Sequence, residues 1–229
     1  MKIQRMHYRA KLREGYDKDT FQRGLTKCQD NIRRAQKKGQ VLTAALYLAD
    51  TADISRTLFF YYEGVGDNGV ISVEELLEPI EDFLQPWPGM TKERGWVKMY
   101  HIYYHSIPES VEGWKRATKP ELRRGRIALL YEEKLFSYIY YHKAIVDEGL
   151  LTGDRYQSIA LHENLLFSYF EEPKTMVNIK NSPEESKVIE DWLAVDPESH
   201  FIHTPECEGL NFMFIPALFA MGVEDLEDS

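Results

Sequence analysis

The strongest constraint on the fold is an order of predicted elements that occurs twice along the chain. Apolar residues alternate in some stretches and recur at helical spacing in others, which separates strands from helices. The first half predicts β-α-β-β-α-β over residues 2–12, 21–38, 41–48, 57–63, 73–84 and 96–107. The second half predicts the same order over residues 125–131, 134–147, 158–161, 165–171, 184–194 and 210–220.

Short matched segments set the register of this repeat. The second helix of the first half closes with EDFL at residues 81–84, and that of the second half closes with EDWL at residues 190–193. Residues 93–99 also match residues 208–213 in character, with one gap. An internal repeat of this kind decides the architecture, and β-α-β-β-α-β is the ferredoxin-like order.

This order predicts an α+β fold made of two tandem ferredoxin-like units. A four-stranded antiparallel sheet with helices on one face leaves its other face to be covered, and two units in one chain can cover each other. We therefore expect an intrachain pseudo-dimeric α/β barrel, either a monomer or a homodimer. The predicted division is a first unit at residues 1–107, a linker at 108–124, a second unit at 125–222 and an acidic tail at 223–229.

Composition excludes several functional classes. The net charge is -9, and no basic stripe stands out, so we expect no nucleic-acid partner. Two cysteines, Cys28 and Cys207, form no disulfide framework. The start of the chain lacks the apolar core of a signal peptide, and no apolar run approaches the roughly 20 residues that cross a bilayer. The expectation is a cytoplasmic protein with no membrane partner.

The candidate chemistry lies at Tyr138 and His142, which are one helical turn apart just before the predicted hairpin at residues 158–171. A histidine with a pKa of about 6.5 can serve as acid and as base near neutrality. The alternative is a buried stripe in which His142 is satisfied by a backbone carbonyl. In the first half the equivalent positions are Phe21 and Leu25, so only the second half can carry a proton-transfer site.

The second half resembles the L-rhamnose mutarotase family of dimeric α/β barrels. The resemblance covers about residues 125–215, and it rests on a Tyr and a His four residues apart, a hairpin pattern and a Trp near the end of the second helix. The matching residues are Tyr138, His142, Ile159, Leu161, Asn164, Leu165, Leu166, Phe167, Glu171 and Trp192. Leu193 departs from the pattern, because the family has a second Trp there.

The resemblance implies a mutarotase-like isomerase that binds a monosaccharide and interconverts its anomers without a cofactor or metal. His142 would act as acid and base, Tyr138 would assist, and Trp192 would offer an apolar face to the sugar. The family's sugar-contacting tyrosine at the hairpin entrance would fall on Gln157, with Tyr156 beside it. Both are therefore candidate substrate-binding residues.

Other functions stay open at this point. The protein could be a non-enzymatic ligand- or protein-binding domain, or a monooxygenase-type member of the same fold, because one fold hosts many chemistries. A metal site would require His101, His105, His200 and His203 to converge, which their spacing does not favour. We therefore expect neither a metal nor a cofactor.

Overall fold

The computed structural model describes residues 1–89, 93–149, 152–178 and 186–226. The strands are β1 Ile3–Leu12, β2 Val41–Ala49, β3 Thr57–Val65, β4 Leu84–Gln85, β5 Val97–Lys98, β6 Tyr100–Tyr104, β7 Leu122–Leu130, β8 Thr152–Asp154, β9 Ser158–His162, β10 Leu165–Glu172, β11 Met176–Asn178, β12 Phe201–Ile202, β13 Met213–Ile215 and β14 Ala217–Gly222. The helices are α1 Lys18–Lys37, α2 Val73–Leu77, α3 Val111–Trp114, α4 Leu135–Glu148 and α5 Lys187–Ala194.

The chain divides into two compact units, each assembled from separate segments. The first contains Met1–Met99, Pro108–Lys119 and Pro216–Ser229, and the second contains Tyr100–Ile107 and Pro120–Ile215. Each unit has one large antiparallel sheet with helices on one face. The predicted α+β class with antiparallel sheets is therefore confirmed.

The first sheet has the order β14-β2-β3-β1-β4, and β5 also pairs with β1. Helix α1 begins after Asp17, whose side chain accepts a hydrogen bond from the backbone N–H of Thr20. Its apolar side, including Phe21, Leu25 and Ile32, belongs to the core cluster on one face of the sheet. Four of these strands keep the ferredoxin-like arrangement, and β14 adds an edge strand beside β2.

The second sheet repeats this plan with the order β12-β7-β10-β9-β6, and β13 also pairs with β7. The predicted hairpin is confirmed: β9 and β10 pair through a two-residue turn, with His162 opposite Leu165. Glu163 in that turn has φ 55°, as tight hairpin turns require. The edge strand added beside β9 is β6.

Two predicted strands each divide between the sheets, which corrects the contiguous division of the sequence. The strand predicted at 96–107 splits at Met99, because β5 pairs with β1 of the first sheet and β6 pairs with β9 of the second. The strand predicted at 210–220 splits at Pro216, because β13 pairs with β7 and β14 pairs with β2. Proline cannot donate to a strand ladder, which makes Pro216 a natural break.

The segment predicted as a linker at 108–124 also differs from the structure. Pro108–Lys119 belongs to the first unit, where Trp114 is fully buried. The Arg116 guanidinium forms two hydrogen bonds to the Glu63 carboxylate, at 2.5 and 2.9 Å, and Trp114 Nε1 donates to the same carboxylate at 3.0 Å. Arg116 is therefore paired inside the unit, whereas Glu112 and Lys115 of the same segment are exposed.

Two predicted helices are shorter than expected. The helix predicted at 73–84 ends at Leu77 and continues as a 3-10 helix at Glu78–Phe83, where Pro79 has no N–H to donate to an α-helical turn. Helix α5 begins at Lys187, and the start predicted at residues 184–185 lies outside the described residues. The predicted tail begins with a 3-10 turn at Val223–Leu226, and its last three residues are likewise not described. Among the described residues, no helix has the length and apolarity to cross a bilayer.

Candidate functional site

The candidate site lies in the second unit, on the face of the sheet that carries α4. Tyr138 belongs to the buried cluster that α4 forms with the sheet, and its side chain is 1% exposed. The cluster includes Leu130 of β7, Leu161 of β9 and Leu166 of β10, while Trp192 of α5 packs against it. The helical spacing of Tyr138 and His142 thus points both side chains toward this core.

His142 is held in one orientation by its own helix. Its ring stacks on that of Tyr138, with centroids 3.8 Å apart and an interplanar angle of 23°. Nδ1 lies 2.9 Å from the backbone oxygen of Tyr138, so the hydrogen-bond network assigns the proton to Nδ1. Nε2 is then the acceptor nitrogen, and no described residue donates to it.

Trp192 and His200 close the cluster on its other side. The Trp192 ring lies 5.3 Å from that of His142 and 5.9 Å from that of Tyr138, in edge-to-face contact with both. His200 is fully buried, and its ring lies 4.7 Å from Trp192. Its Nδ1 donates to the backbone oxygen of Asp196 at 3.2 Å, and its Nε2 accepts from the Ser137 hydroxyl at 2.9 Å. His200 therefore has both nitrogens occupied and positions Trp192.

Tyr103 reaches the cluster from the edge strand β6. Its ring meets the His142 ring edge-on at 5.1 Å, and its hydroxyl lies 3.0 Å from His105 Nε2. The site therefore includes a side chain from the first half of the sequence, supplied by the strand that joins the second sheet.

Burial fixes the protonation states of the site near neutral pH. The pKa of His142 is lowered to about 4, mainly by burial; the hydrogen bond to the Tyr138 carbonyl opposes this shift, and nearby His200 adds to it. Burial raises the pKa of Tyr103 to about 12 and raises that of Tyr138 well above its usual range. At pH 7 the imidazole is neutral and both phenols are protonated donors. The sequence argument from an ordinary histidine pKa does not apply here.

A cation lies on the sheet beneath Tyr138. Arg126 of β7 donates from Nε to the Ser168 hydroxyl of β10 at 3.3 Å. Its guanidinium carbon lies 4.5 Å from the centroid of the Phe212 ring and 5.1 Å from that of Phe170. Burial lowers the pKa of Arg126, and the proximity of Tyr138 raises it. The positive charge in turn lowers the pKa of Tyr138 against the larger effect of burial.

The structure brings together three of the predicted residues, Tyr138, His142 and Trp192. The other two, Tyr156 and Gln157, lie between β8 and β9, where their backbone N–H groups contact Asp154 at 3.4 and 3.1 Å. The Tyr156 side chain is buried. The role of these two residues in ligand binding stays a prediction.

The histidines considered for metal binding are engaged in other contacts. His105 contacts Tyr103, His200 contacts Ser137, and His203 Nε2 lies 2.8 Å from Asn211 Oδ1. Within the described ranges, no group of three or more His, Cys, Asp or Glu side chains could hold a metal ion.

Sequence reasoning missed Arg126, Ser168, Tyr103 and His200. Arg126 had a usable signal, because strand alternation places it on the same face of β7 as Ala128 and Leu130. A charged residue on the helix-facing side of a strand is unusual. Tyr103 had no such signal, since its place depends on the division of one predicted strand between two sheets.

Comparison with known proteins finds only distant structural likenesses. No protein-family model and no curated protein matches the chain. Among solved structures, it is similar to a proposed monooxygenase from Lactobacillus acidophilus NCFM, with 6% identity, a TM-score of 0.43 and 97% of each chain covered. It is also similar to a proposed chlorite dismutase, with 11% identity, a TM-score of 0.40, and coverage of 100% of this chain and 99% of that one.

A mutant chlorite dismutase from Candidatus Nitrospira defluvii in complex with cyanide is a third likeness. It has 9% identity and a TM-score of 0.35, and the similarity covers 98% of this chain and 92% of that chain. Because all three TM-scores are below 0.5, these likenesses carry no argument about function, which rests on the site itself.

Proposed function

We propose that the second unit binds a small molecule beside His142 and that His142 and Tyr138 move protons on it. The observation that carries this proposal is the fixed tautomer of His142. Its Nδ1–H is held by the Tyr138 carbonyl, so its Nε2 lone pair is available to a ligand hydroxyl. The His142 side chain is partly buried and not fully enclosed.

The neighbouring groups suit the anomerisation of an aldose. Ring opening needs a base for the proton of the anomeric hydroxyl and an acid for the ring oxygen. His142 Nε2 would supply the base and the protonated Tyr138 phenol would donate. The Trp192 ring, edge-on to both side chains, would offer apolar surface to sugar C–H groups. The finer proposal is therefore a mutarotase-like isomerase.

The first unit provides an internal comparison. Phe21 and Leu25 of α1 correspond to Tyr138 and His142, and both are buried in the core. Phe21 meets Phe83 edge-on at 5.5 Å, much as Tyr138 meets Trp192 at 5.9 Å. Apolar side chains at these positions are thus compatible with the fold. Packing alone therefore does not explain the polar groups of Tyr138 and His142 in the second unit.

The proposal is tested by NMR saturation exchange between the anomers of a panel of aldoses. We expect wild-type protein to accelerate exchange for at least one sugar, and His142→Leu, which installs the residue of the first unit, to abolish the acceleration. Tyr138→Phe keeps the packing and removes only the hydroxyl, so it should slow exchange while leaving the melting temperature nearly unchanged. Exchange at the uncatalysed rate for every sugar, or equal acceleration by His142→Leu, would refute catalysis.

Non-enzymatic ligand binding is the second candidate, and the depressed pKa of His142 favours it. A base with a pKa of about 4 accepts protons less readily than one matched to neutral pH. Binding in calorimetry that depends on His142, together with no anomer exchange, would identify a binding protein instead of an isomerase.

A further inference from the structure

Arg126 is a partly buried cation on the floor of the candidate site. Its one hydrogen bond among the described residues runs from Nε to the neutral Ser168 hydroxyl. A guanidinium has five N–H donors and stays charged at any ordinary pH. Within the described part of the chain, no carboxylate forms an ion pair with it. Among the described residues, the charge of Arg126 therefore has no counter-ion.

Two other arginines of the chain are paired with carboxylates. Arg116 in the first unit makes a two-pronged contact with the Glu63 carboxylate. Arg124, two residues before Arg126 on the same strand face, pairs with Glu172 at 3.2 Å. A buried charge is costly unless it is paired and hydrogen-bonded. Arg126 differs from both, because its contacts with the described residues are a hydroxyl and aromatic rings.

The aromatic contacts orient the guanidinium for a planar anion. Phe212 and Phe170 lie within 4.5 and 5.1 Å of its central carbon and stabilise the cation. Ser168 occupies the Nε atom, which leaves the two terminal nitrogens to form the parallel hydrogen bonds that carboxylates accept. Tyr138 lies near both groups, because the charge of Arg126 lowers the pKa of its phenol and its ring stacks on that of His142.

We infer that Arg126 binds the carboxylate of the ligand, so that the ligand class is a small organic acid. This inference rests on the proposed function, because it concerns the same site. If the reacting group is a sugar hemiacetal at His142, the ligand is a sugar acid such as a hexuronate, whose carboxylate and anomeric carbon lie on opposite sides of the ring oxygen.

The repeat indicates that the fold does not need a charge at this place. Register equates Arg126 and Ser168 of the second sheet with Tyr8 and Phe60 of the first, which face each other in the same way. Tyr8 and Phe60 pack with the core cluster of the first unit. The same place in the fold is thus filled without a charge in one unit, while the other unit places a guanidinium there.

The test compares matched ligands that differ only in the carboxylate. Titration calorimetry would measure binding of glucuronate, galacturonate and mannuronate, each against its neutral hexose, with sodium sulfate as an inorganic anion. We expect at least one hexuronate to bind about 10- to 100-fold more tightly than its hexose, as charge-assisted hydrogen bonds imply. The preference should weaken with added salt. Equal affinity within every pair, or binding of sulfate alone, overturns the inference.

Variants assign the effect to one side chain. Arg126→Gln should remove the preference for the hexuronate, and Arg126→Lys should restore part of it, because lysine keeps the charge but not the planar fork. Arg124→Gln is the matched control and should leave the preference unchanged, since Arg124 already pairs with Glu172. Melting temperatures show whether each variant is folded. An Arg126→Gln protein that is folded and keeps the preference refutes the assignment.

The inference and the proposed function can fail separately. Binding that depends on Arg126 without anomer exchange would uphold the carboxylate site and refute catalysis. Anomer exchange that is equally fast for hexoses and hexuronates, and is insensitive to Arg126→Gln, would uphold catalysis and refute the carboxylate site.

Discussion

Replacing His142 by leucine should change how the stability of the protein depends on pH. Burial lowers the pKa of His142 to about 4 in the folded state, against about 6.5 in an unfolded chain. Between pH 6.5 and pH 4, His142 is therefore protonated in most unfolded molecules but neutral in most folded ones. The free energy of unfolding therefore decreases as the pH falls from about 6.5 toward 4.

The magnitude follows from the two pKa values. At pH 7 both states are mostly neutral, and the effect is on the order of 0.2 kcal/mol. At pH 5 nearly all unfolded molecules are protonated at this residue but only about a tenth of the folded ones, so the cost is about 2 kcal/mol. Because the imidazole is partly exposed, solvent screening makes this an upper value.

Urea denaturation at pH 7 and pH 5 measures the effect. The other six histidines titrate in both proteins, so the relevant quantity is the difference between wild type and His142→Leu. We expect the wild type to lose about 1–2 kcal/mol more than the variant between these two pH values. Equal losses in the two proteins would mean that the pKa of His142 is not lowered, and the argument from burial would be refuted.

Two further substitutions test the first unit. Glu63→Gln leaves Arg116 buried without its counter-charge and should lower the free energy of unfolding, measured in urea, by about 3–5 kcal/mol. The exposed control Glu112→Gln should lower it by less than about 1 kcal/mol. Similar losses in the two variants would contradict burial of the Arg116–Glu63 pair. Gly24→Ala places a Cβ 2.9 Å from the backbone oxygen of Pro79, so it should lower the free energy of unfolding by about 1–3 kcal/mol. An unchanged melting temperature would contradict the close approach of α1 to the 3-10 helix.

The parts of the fold that sequence predicted well are determined locally. The hairpin of β9 and β10 follows from apolar runs and a two-residue turn at Glu163 and Asn164, all within fifteen residues. The repeat follows from short matched segments, such as EDFL at residues 81–84 and EDWL at residues 190–193. Such patterns can be recognised without knowledge of tertiary contacts.

The exchange of β6 and β14 between the sheets could not be predicted in this way. Each lies one residue beyond a neighbouring strand, with only Met99 or Pro216 between them, so each pair resembles one continuous strand. The partner of each strand is far away in the chain, and periodicity carries no information about it. The burial of Trp114 and Arg116 was missed for the same reason, because their partner Glu63 lies about fifty residues earlier.

The candidate site was predicted in part. Helical spacing indicated Tyr138 and His142, and the family resemblance indicated Trp192. The structure places the three rings in contact, while their role in ligand binding stays a prediction. The lowered pKa of His142 depends on desolvation by the whole core, which spacing does not reveal. Arg126 was missed although strand alternation places it on the same face of β7 as Ala128 and Leu130, because a strand with several arginines resembles a solvated edge.

The central claim is that a small molecule binds between His142 and Arg126 on the helix-side face of the second sheet. A crystal structure of the protein with its tightest-binding hexuronate tests this most directly. The account predicts a carboxylate within hydrogen-bond distance of the Arg126 guanidinium and a sugar hydroxyl at His142 Nε2, beside Trp192. A ligand bound elsewhere on the chain, with these three side chains packed as they are in its absence, would contradict it.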